Sequence, residues 1–268
     1  VPLFEDALGE HAAETATALQ ARAPVVLRVN LARIDRAAAQ RELAEQGVET
    51  VANPLAEGAL TVIEGQRRLR SAPAYTDGLV ELQDAASQAV VAALPSGGRV
   101  LDYCAGGGGK ALALSMDPAR TVLAHDIDPG RMADLPARAA RAGVQIGQVG
   151  TADLVPAGPF DVVLCDAPCS GSGAWRRAAE GKWTLTRDRL DTLTGIQDGI
   201  LDDACALVAP GGVLAFATCS VLREENEDRA AAFVARHPEW SCTFERRFAV
   251  DALGDGFYTA HFVRSDRT

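Results

Sequence analysis

Two cysteines occupy matching places in this chain. The stretch "DVVLCDAPCSGSG" runs from Asp161 to Gly173 and presents Cys169 just after an apolar run. Fifty residues on, "GGVLAFATCS" ends at Cys219-Ser220. Each apolar run predicts a strand, so each thiol is delivered at a strand's C-terminal end. A thiolate there is a nucleophile for covalent catalysis. An unperturbed thiol, with a pKa of about 8.5, is only a few per cent ionised at pH 7, so a working one needs a cation, a dipole or a proton acceptor beside it. The remaining cysteines are Cys104, Cys165, Cys205 and Cys242. They form no C-x-x-C pair, which makes poor zinc spacing and a poor disulfide framework, so no metal is expected and a reducing, cytoplasmic setting fits. Cys165, Cys205 and Cys242 read as small buried hydrophobes.

A second motif, "LDYCAGGGGKA" (Leu101 to Ala111), joins a predicted strand to a predicted helix through four glycines. Glycines allow a tight turn and close backbone approach, and a helix N-terminus offers free N–H groups. A triphosphate loop needs G-x-x-x-x-G-K-[ST]; Cys104 and Ala111 stand where its first Gly and its Ser/Thr belong, so that reading fails. G-x-G-x-x-[GA] does match from Gly106 to Ala111 and allows a dinucleotide or S-adenosylmethionine. Asp126 closes the next predicted strand, 20 residues after Gly106, where a carboxylate accepts from ribose hydroxyls. Asp153, in "GTADL", is a candidate acceptor for an adenine amine. The cysteines favour methyl transfer over hydride transfer. Carbon 5 of a cytosine is a poor nucleophile until a thiolate adds at C6 and makes the ring enamine-like.

These residues need a frame. "PVVLRVN" predicts a strand, "RIDRAAAQRELAEQG" an amphipathic helix stopped by Gly47, and "ALTVIEG" another strand, together a small α+β subdomain over 24–78. Residues 1–23 are Ala- and Glu-rich with helical spacing. They are expected to be a linker or the remnant of a missing N-terminal helical domain, since the chain opens on Val1. From residue 79 to 268 strands and helices alternate, which predicts a doubly wound, mostly parallel sheet. The last two strands, "SCTFERRFAV" and "GFYTAHFVR", have no helix between them and predict an antiparallel hairpin. The 268 residues carry a formal charge of −10, which argues against strong nonspecific nucleic-acid binding but leaves room for a local basic groove. Arg67, Arg68 and Arg70 form one basic cluster; Arg176, Arg177, Lys182, Arg187 and Arg189 form another. Taken alone, each reads as a solvated face. No run reaches the roughly 20 apolar residues of a membrane helix.

The motifs "LRVN", "LQDAASQ", "LDYCAGGGGK", "AHDIDPGRM", "DAPCSGSG", "ATCSVLREENE" and "DGFYTA" resemble the Sun family of RNA cytosine-5 methyltransferases, on its bacterial ribosomal RNA branch. The resemblance implies a class I S-adenosylmethionine-dependent fold, Rossmann-like, with a mostly parallel seven-stranded sheet and an N-terminal RNA-contacting α+β subdomain. It implies an RNA substrate, 16S ribosomal RNA first and transfer RNA second, reached in a single-stranded or loop site. A non-catalytic RNA-binding relative is the other alternative. A monomer is expected. Carried onto this chain, Cys104, Ala105, Gly106, Gly107, Gly108, Gly109 and Lys110 line the cofactor, Asp126 takes the ribose and Asp153 the adenine side. Asp166 lies near the methyl donor and the base, Cys219 attacks, and Cys169 assists release of the covalent product. Glu225, Asn226 and Glu227 support the segment after Cys219. The chain departs from the family pattern in its loop, where Gly106 and Gly107 replace Ala-Pro and remove a φ constraint. It departs again after "DAPCSGSG", where Arg176 and Arg177 remain but a following His-Pro-Asp does not.

Overall fold

The computed structural model describes residues 2–265. Its first sheet holds β1 (Val25–Val29), β2 (Glu49–Ala52), β3 (Ala59–Glu64) and β4 (Val80–Leu82), all antiparallel, in the order β2-β3-β1-β4. The helix Arg36–Glu45 packs on it. Asp35 caps its start by accepting from the Ala38 N–H at 2.8 Å. Its end is a Schellman turn: Val48 N–H donates to Leu43 O, Gly47 N–H donates to Ala44 O, and Gly47 takes φ +74°. Ala39 and Leu43 then bury against Leu27, Val29 and Leu60. Two features of this sheet go beyond the sequence reading. β2 was too short to read as a strand, and β4 lies past the expected boundary at residue 78. Residues before β1 form two short helices, Pro2–Leu8 and Ala12–Ala18, with Phe4 stacked on Trp175 at 5.8 Å.

The second sheet holds β5 (Gly98–Asp102), β6 (Arg120–Ala124), β7 (Gly147–Gln148), β8 (Phe160–Asp166), β9 (Val208–Thr218), β10 (Trp240–Phe248) and β11 (Phe257–Arg264). Their order is β10-β11-β9-β8-β5-β6-β7. β5 to β9 pair in parallel, and β11 runs antiparallel to both β9 and β10, as the missing crossover required. This is the seven-stranded, mostly parallel class I sheet. Its central strands are continuous apolar runs because both faces are covered. Leu164 and Ala215 point into one core with Val90, Leu112 and Leu135. Val163 and Phe216 point into the other with Leu201 and Phe233. Truncating a fully buried Phe such as Phe216 to Ala costs about 3–5 kcal/mol.

After β5 the chain builds β6 and β7 on one side, then returns to place β8 on the other. A crevice opens at that switch, outside the carboxyl ends of β5 and β8. The small sheet is fastened beside it. Arg28 donates to Gly109 O at 3.0 Å, Asn30 to Ala142 O at 2.8 Å, and Asn53 to Leu253 O at 2.8 Å. Among the described residues no helix is long and apolar enough to cross a membrane.

Candidate active site

The crevice holds a cavity of about 610 Å³, within the range of small-molecule and cofactor sites. Cys104, Ala105, Gly106, Gly107, Gly109, Lys110, Asp126, Asp166, Cys169 and Cys219 all line it. Two expected cofactor residues do not. Gly108 is buried behind the loop at φ +78°, where an added Cβ would sit 2.4 Å from Leu135 Cδ1, so its part is packing. Asp153 is exposed on the turn Thr151–Asp153 and stands outside the cavity wall, which Thr151 occupies instead.

The glycine loop is held from below. Tyr103 N–H extends the β5–β8 ladder to Leu164 O at 2.8 Å, and Ala105 N–H donates to His125 O at 2.8 Å. Gly106, at φ +52°, donates its N–H to Asp126 Oδ2 at 2.9 Å. Arg138 donates to Gly107 O. The freedom that two glycines bring is thus taken up by hydrogen bonds. Asp126 is buried; Oδ1 accepts from Asp128 N–H at 3.0 Å, and Arg131 lies 3.2 Å from Oδ2. Gly106, Asp128 and Arg131 together use three of the carboxylate's roughly four lone-pair sites, which leaves one for a further donor. His125, which the sequence reading missed, bridges Tyr103 O at 2.7 Å and Thr151 Oγ1 at 2.9 Å in the same wall. Its only sequence signal is its place at a strand end, next to Asp126.

The two thiols meet because their strands are neighbours in register. Asp166 of β8 stands opposite Ala217 of β9, so Cys169 and Cys219 leave adjacent parallel strand ends. Their Sγ atoms are 3.4 Å apart. The hydrogen bond from Cys169 lowers the Cys219 thiol below its usual range, against burial and the Asp166 charge, with Lys110 helping. The same bond, with burial, holds Cys169 well above that range. Burial raises Cys104, Cys165 and Cys205, and partial desolvation raises Cys242, which is exposed on β10 and not the buried hydrophobe expected. Cys219 alone among the six is shifted toward the thiolate.

A buried carboxylate ties the two cysteine loops together. Glu225 accepts from Ser170 N–H at 2.7 Å, Ser170 Oγ at 2.5 Å and Ser220 Oγ at 2.6 Å, and from Gln197 Nε2 at 3.2 Å. Ser170 and Ser220 directly follow the two cysteines. Asn226 adds a bond to Ser220 O at 2.9 Å and accepts from Thr218 Oγ1 at 2.5 Å. Glu227 is directed elsewhere: it pairs with Arg247.

Lys110 donates to Asp166 Oδ2 at 2.6 Å. Burial pulls the Lys110 ammonium down, but the charge and hydrogen bond of Asp166 outweigh it, and the net shift is upward. Behind this pair lies Asp102, fully buried, with both carboxylate oxygens unpartnered among side-chain contacts. Burial first, and the Asp166 charge second, raise its carboxyl to about 7.

Three arginines of the second basic cluster are paired with carboxylates, while among the described residues the exposed Lys182 and Arg189 form no ion pair. Arg176 pairs with buried Asp255 at 2.6 Å, and Arg177 with Asp255 and with Asp84 at 3.2 Å. Arg187 pairs with Asp191 and Glu224. The residues retained after "DAPCSGSG" therefore anchor the 251–255 loop.

The family model described as 16S rRNA methyltransferase RsmB/F matches residues 89–262, and one for the RsmF/B-like ferredoxin-like domain matches residues 2–67. The chain is 34% identical over 260 residues to ribosomal RNA small subunit methyltransferase B of Erwinia tasmaniensis, an alignment covering 91% of this chain and 60% of that protein. It is 35% identical over 248 residues to the probable ribosomal RNA small subunit methyltransferase B of Bacillus subtilis, covering 88% and 55%. The chain thus spans little more than half the length of these relatives. A methyltransferase homologue from Pyrococcus horikoshii superposes with a TM-score of 0.83 at 25% identity, covering 98% of this chain and 93% of that one. NSun6 from the same organism, solved with SFG, shares the fold at 17% identity with a TM-score of 0.85, covering 98% and 97%.

Proposed function

Because the chain belongs to the 16S rRNA methyltransferase RsmB/F family, we propose that it transfers a methyl group from S-adenosylmethionine to C5 of a cytidine in 16S ribosomal RNA, through a covalent bond between Cys219 and C6. The observation that carries this reading is the thiol pair. Cys169 and Cys219 lie 3.4 Å apart, sulfur to sulfur, in the same cavity as the glycine loop and Asp126, and the nearby Lys110 charge favours a thiolate at Cys219. A hydride-transfer site has no use for that arrangement.

The cavity suits the cofactor. Its floor is the backbone of Gly106, Gly107 and Gly109, and a Cβ on Gly107 or Gly109 would meet no neighbour closer than 3.5 Å, which leaves the space above them open. Asp126 would take the ribose hydroxyls, and Thr151 and His125 stand where the adenine side would lie. Bound there, S-adenosylmethionine supplies an electrophilic methyl. The chain's residues do the rest. Cys219 adds to C6, and the C5–C6 π electrons pass into the ring. Asp166 would contact the base around N3 and pass a proton from the Lys110 ammonium to it, which neutralises the negative charge that develops there. C5 takes the methyl, a base removes the C5 proton, and the S–C6 bond breaks with its electrons returning to sulfur. Cys169 assists that release. The base must leave any stack to reach these groups.

The test is methylation of unmodified 16S ribosomal RNA by the purified chain with labelled S-adenosylmethionine, mapped by bisulfite sequencing. One protected cytidine is expected, lost in Cys219→Ala, with a gel-stable RNA–protein adduct in Cys169→Ala. Methylation at any atom other than cytosine C5, or normal turnover by Cys219→Ala, rejects the reading.

A further inference from the structure

Three arginines of the small subdomain, and Arg22 just before it, take no part in the site above. Arg22, Arg67, Arg68 and Arg70 are exposed and line two adjoining grooves of about 590 and 340 Å³, which share Arg22, Gln66 and Arg67. Among the described residues none of the four forms an ion pair; the pairs of the molecule engage other arginines. Glu64 is the one acidic side chain in either wall. In a chain of net charge −10, four guanidiniums without ion pairs around two adjoining grooves make a local positive field. The contrast with Arg176 and Arg177, both consumed by Asp255, separates a free cluster from a structural one.

The backbone that carries these side chains is fixed. Leu69 is 2% exposed and anchors the turn Leu69–Ser71 in the subdomain core. Arg68 N–H donates to Gly65 O at 2.9 Å, and Ser71 N–H to Arg68 O at 3.0 Å. Gly65 takes φ +79°, and a Cβ there would lie 2.0 Å from Gly47 O, so the turn packs directly on the helix end. Arg68 in turn lies over Gly47, where an added Cβ would meet its Nη1 at 2.3 Å. With Leu69 buried, its neighbours Arg68 and Arg70 are left outside. The groove is also close to the site: Leu82 lines it, and the next residue, Gln83, lines the catalytic cavity.

We propose that this groove binds the phosphodiester backbone of the RNA strand whose target nucleotide enters the cavity; the inference rests on the proposed RNA methylation. A guanidinium matches a phosphate bidentately. Neither wall contains an aromatic ring for base stacking. The groove therefore adds affinity and register, and leaves the choice of base to the cavity.

The test is the triple variant Arg67→Ala, Arg68→Ala, Arg70→Ala in the otherwise unaltered chain, with 16S ribosomal RNA as the probe. Its Kd for RNA should weaken about tenfold or more at moderate salt. Its log Kd against log salt should flatten by about 2, at about 0.7 for each phosphate of a single strand that the variant no longer neutralises. KM for RNA should rise while kcat at saturating RNA and the Kd for S-adenosylmethionine stay put. The matching triple lysine variant should recover most of the slope. Unchanged RNA affinity and slope overturn the groove while leaving the proposed reaction intact. Wild-type RNA binding of normal salt dependence without any methylation overturns the reaction and leaves the groove standing.

Discussion

The Sγ atoms of Cys169 and Cys219 lie 3.4 Å apart and are shifted in opposite directions, Cys219 down and Cys169 up. The shared hydrogen bond is the first cause of both shifts. It stabilises charge on one sulfur by keeping the proton on the other. Cys169→Ala removes the donor. Alkylation of Cys219, followed by peptide mass across neutral to alkaline pH, should titrate below about 8.5 in the unaltered chain. In Cys169→Ala the midpoint should move up toward that value. An unmoved midpoint would assign the shift to Lys110 alone.

Glu225 tests whether geometry or charge limits the thiols. Its carboxylate raises both of them, yet its hydrogen bonds hold Ser170 and Ser220 beside each other. Glu225→Gln keeps the shape, removes the charge and turns one acceptor into a donor facing other donors. The variant should lose about 2–4 kcal/mol of stability by denaturant unfolding. Its Cys219 titration should fall, while turnover drops at least tenfold. Turnover that rises along with thiolate content would show that the clamp does not position the pair.

Lys110 and Asp166 bear on Cys219 with opposite signs: Lys110 lowers its pKa and Asp166 raises it. Lys110→Met should therefore shift the alkylation midpoint up, and Asp166→Asn should shift it down. Both should lose methyl transfer, by about 10²-fold or more if the pair stabilises charge on the base. The opposing titrations against a common loss of rate separate activation of the thiol from stabilisation of the ring. Midpoints moving in the same direction would contradict this arrangement.

The parallel sheet was legible because its strands are apolar on both faces and its helices intervene, and the hairpin because no crossover fits between its strands. The thiols were legible as cysteines at two strand ends, and their separate roles by resemblance. Their distance was not, since it depends on the register of β8 against β9. β2 escaped notice because four residues, mostly exposed, carry no readable alternation. Asp153 took its role from the resemblance, and it lies exposed on the turn Thr151–Asp153. His125 escaped because a lone histidine has no pattern; only the fold shows Tyr103 and Thr151 on its two nitrogens. The two arginine clusters looked alike as sequence. Asp255, 79 residues beyond Arg176, is what distinguishes them.

Asp102 gives a prediction about stability. Its carboxyl is raised from 3.8 to about 7 by burial and by Asp166. A raised acid binds its proton more tightly folded than unfolded. Folding is therefore favoured below the unfolded value, and that advantage is lost as pH rises from about 4 through about 7. Over that window the unaltered chain should lose stability relative to Asp102→Asn, which has no proton to release there. Full expression of the shift corresponds to about 4 kcal/mol, at 1.36 kcal/mol per unit, and is an upper figure because Lys110 and relaxation offset part of it. The measurement is urea unfolding of both proteins at several pH values. A constant offset between the two would reflect packing alone; a difference that grows with pH, then levels above about 8, is the expected signature. Parallel curves from pH 4 to pH 8 would mean that Asp102 stays ionised in the folded chain, with Lys110 as its counter-charge.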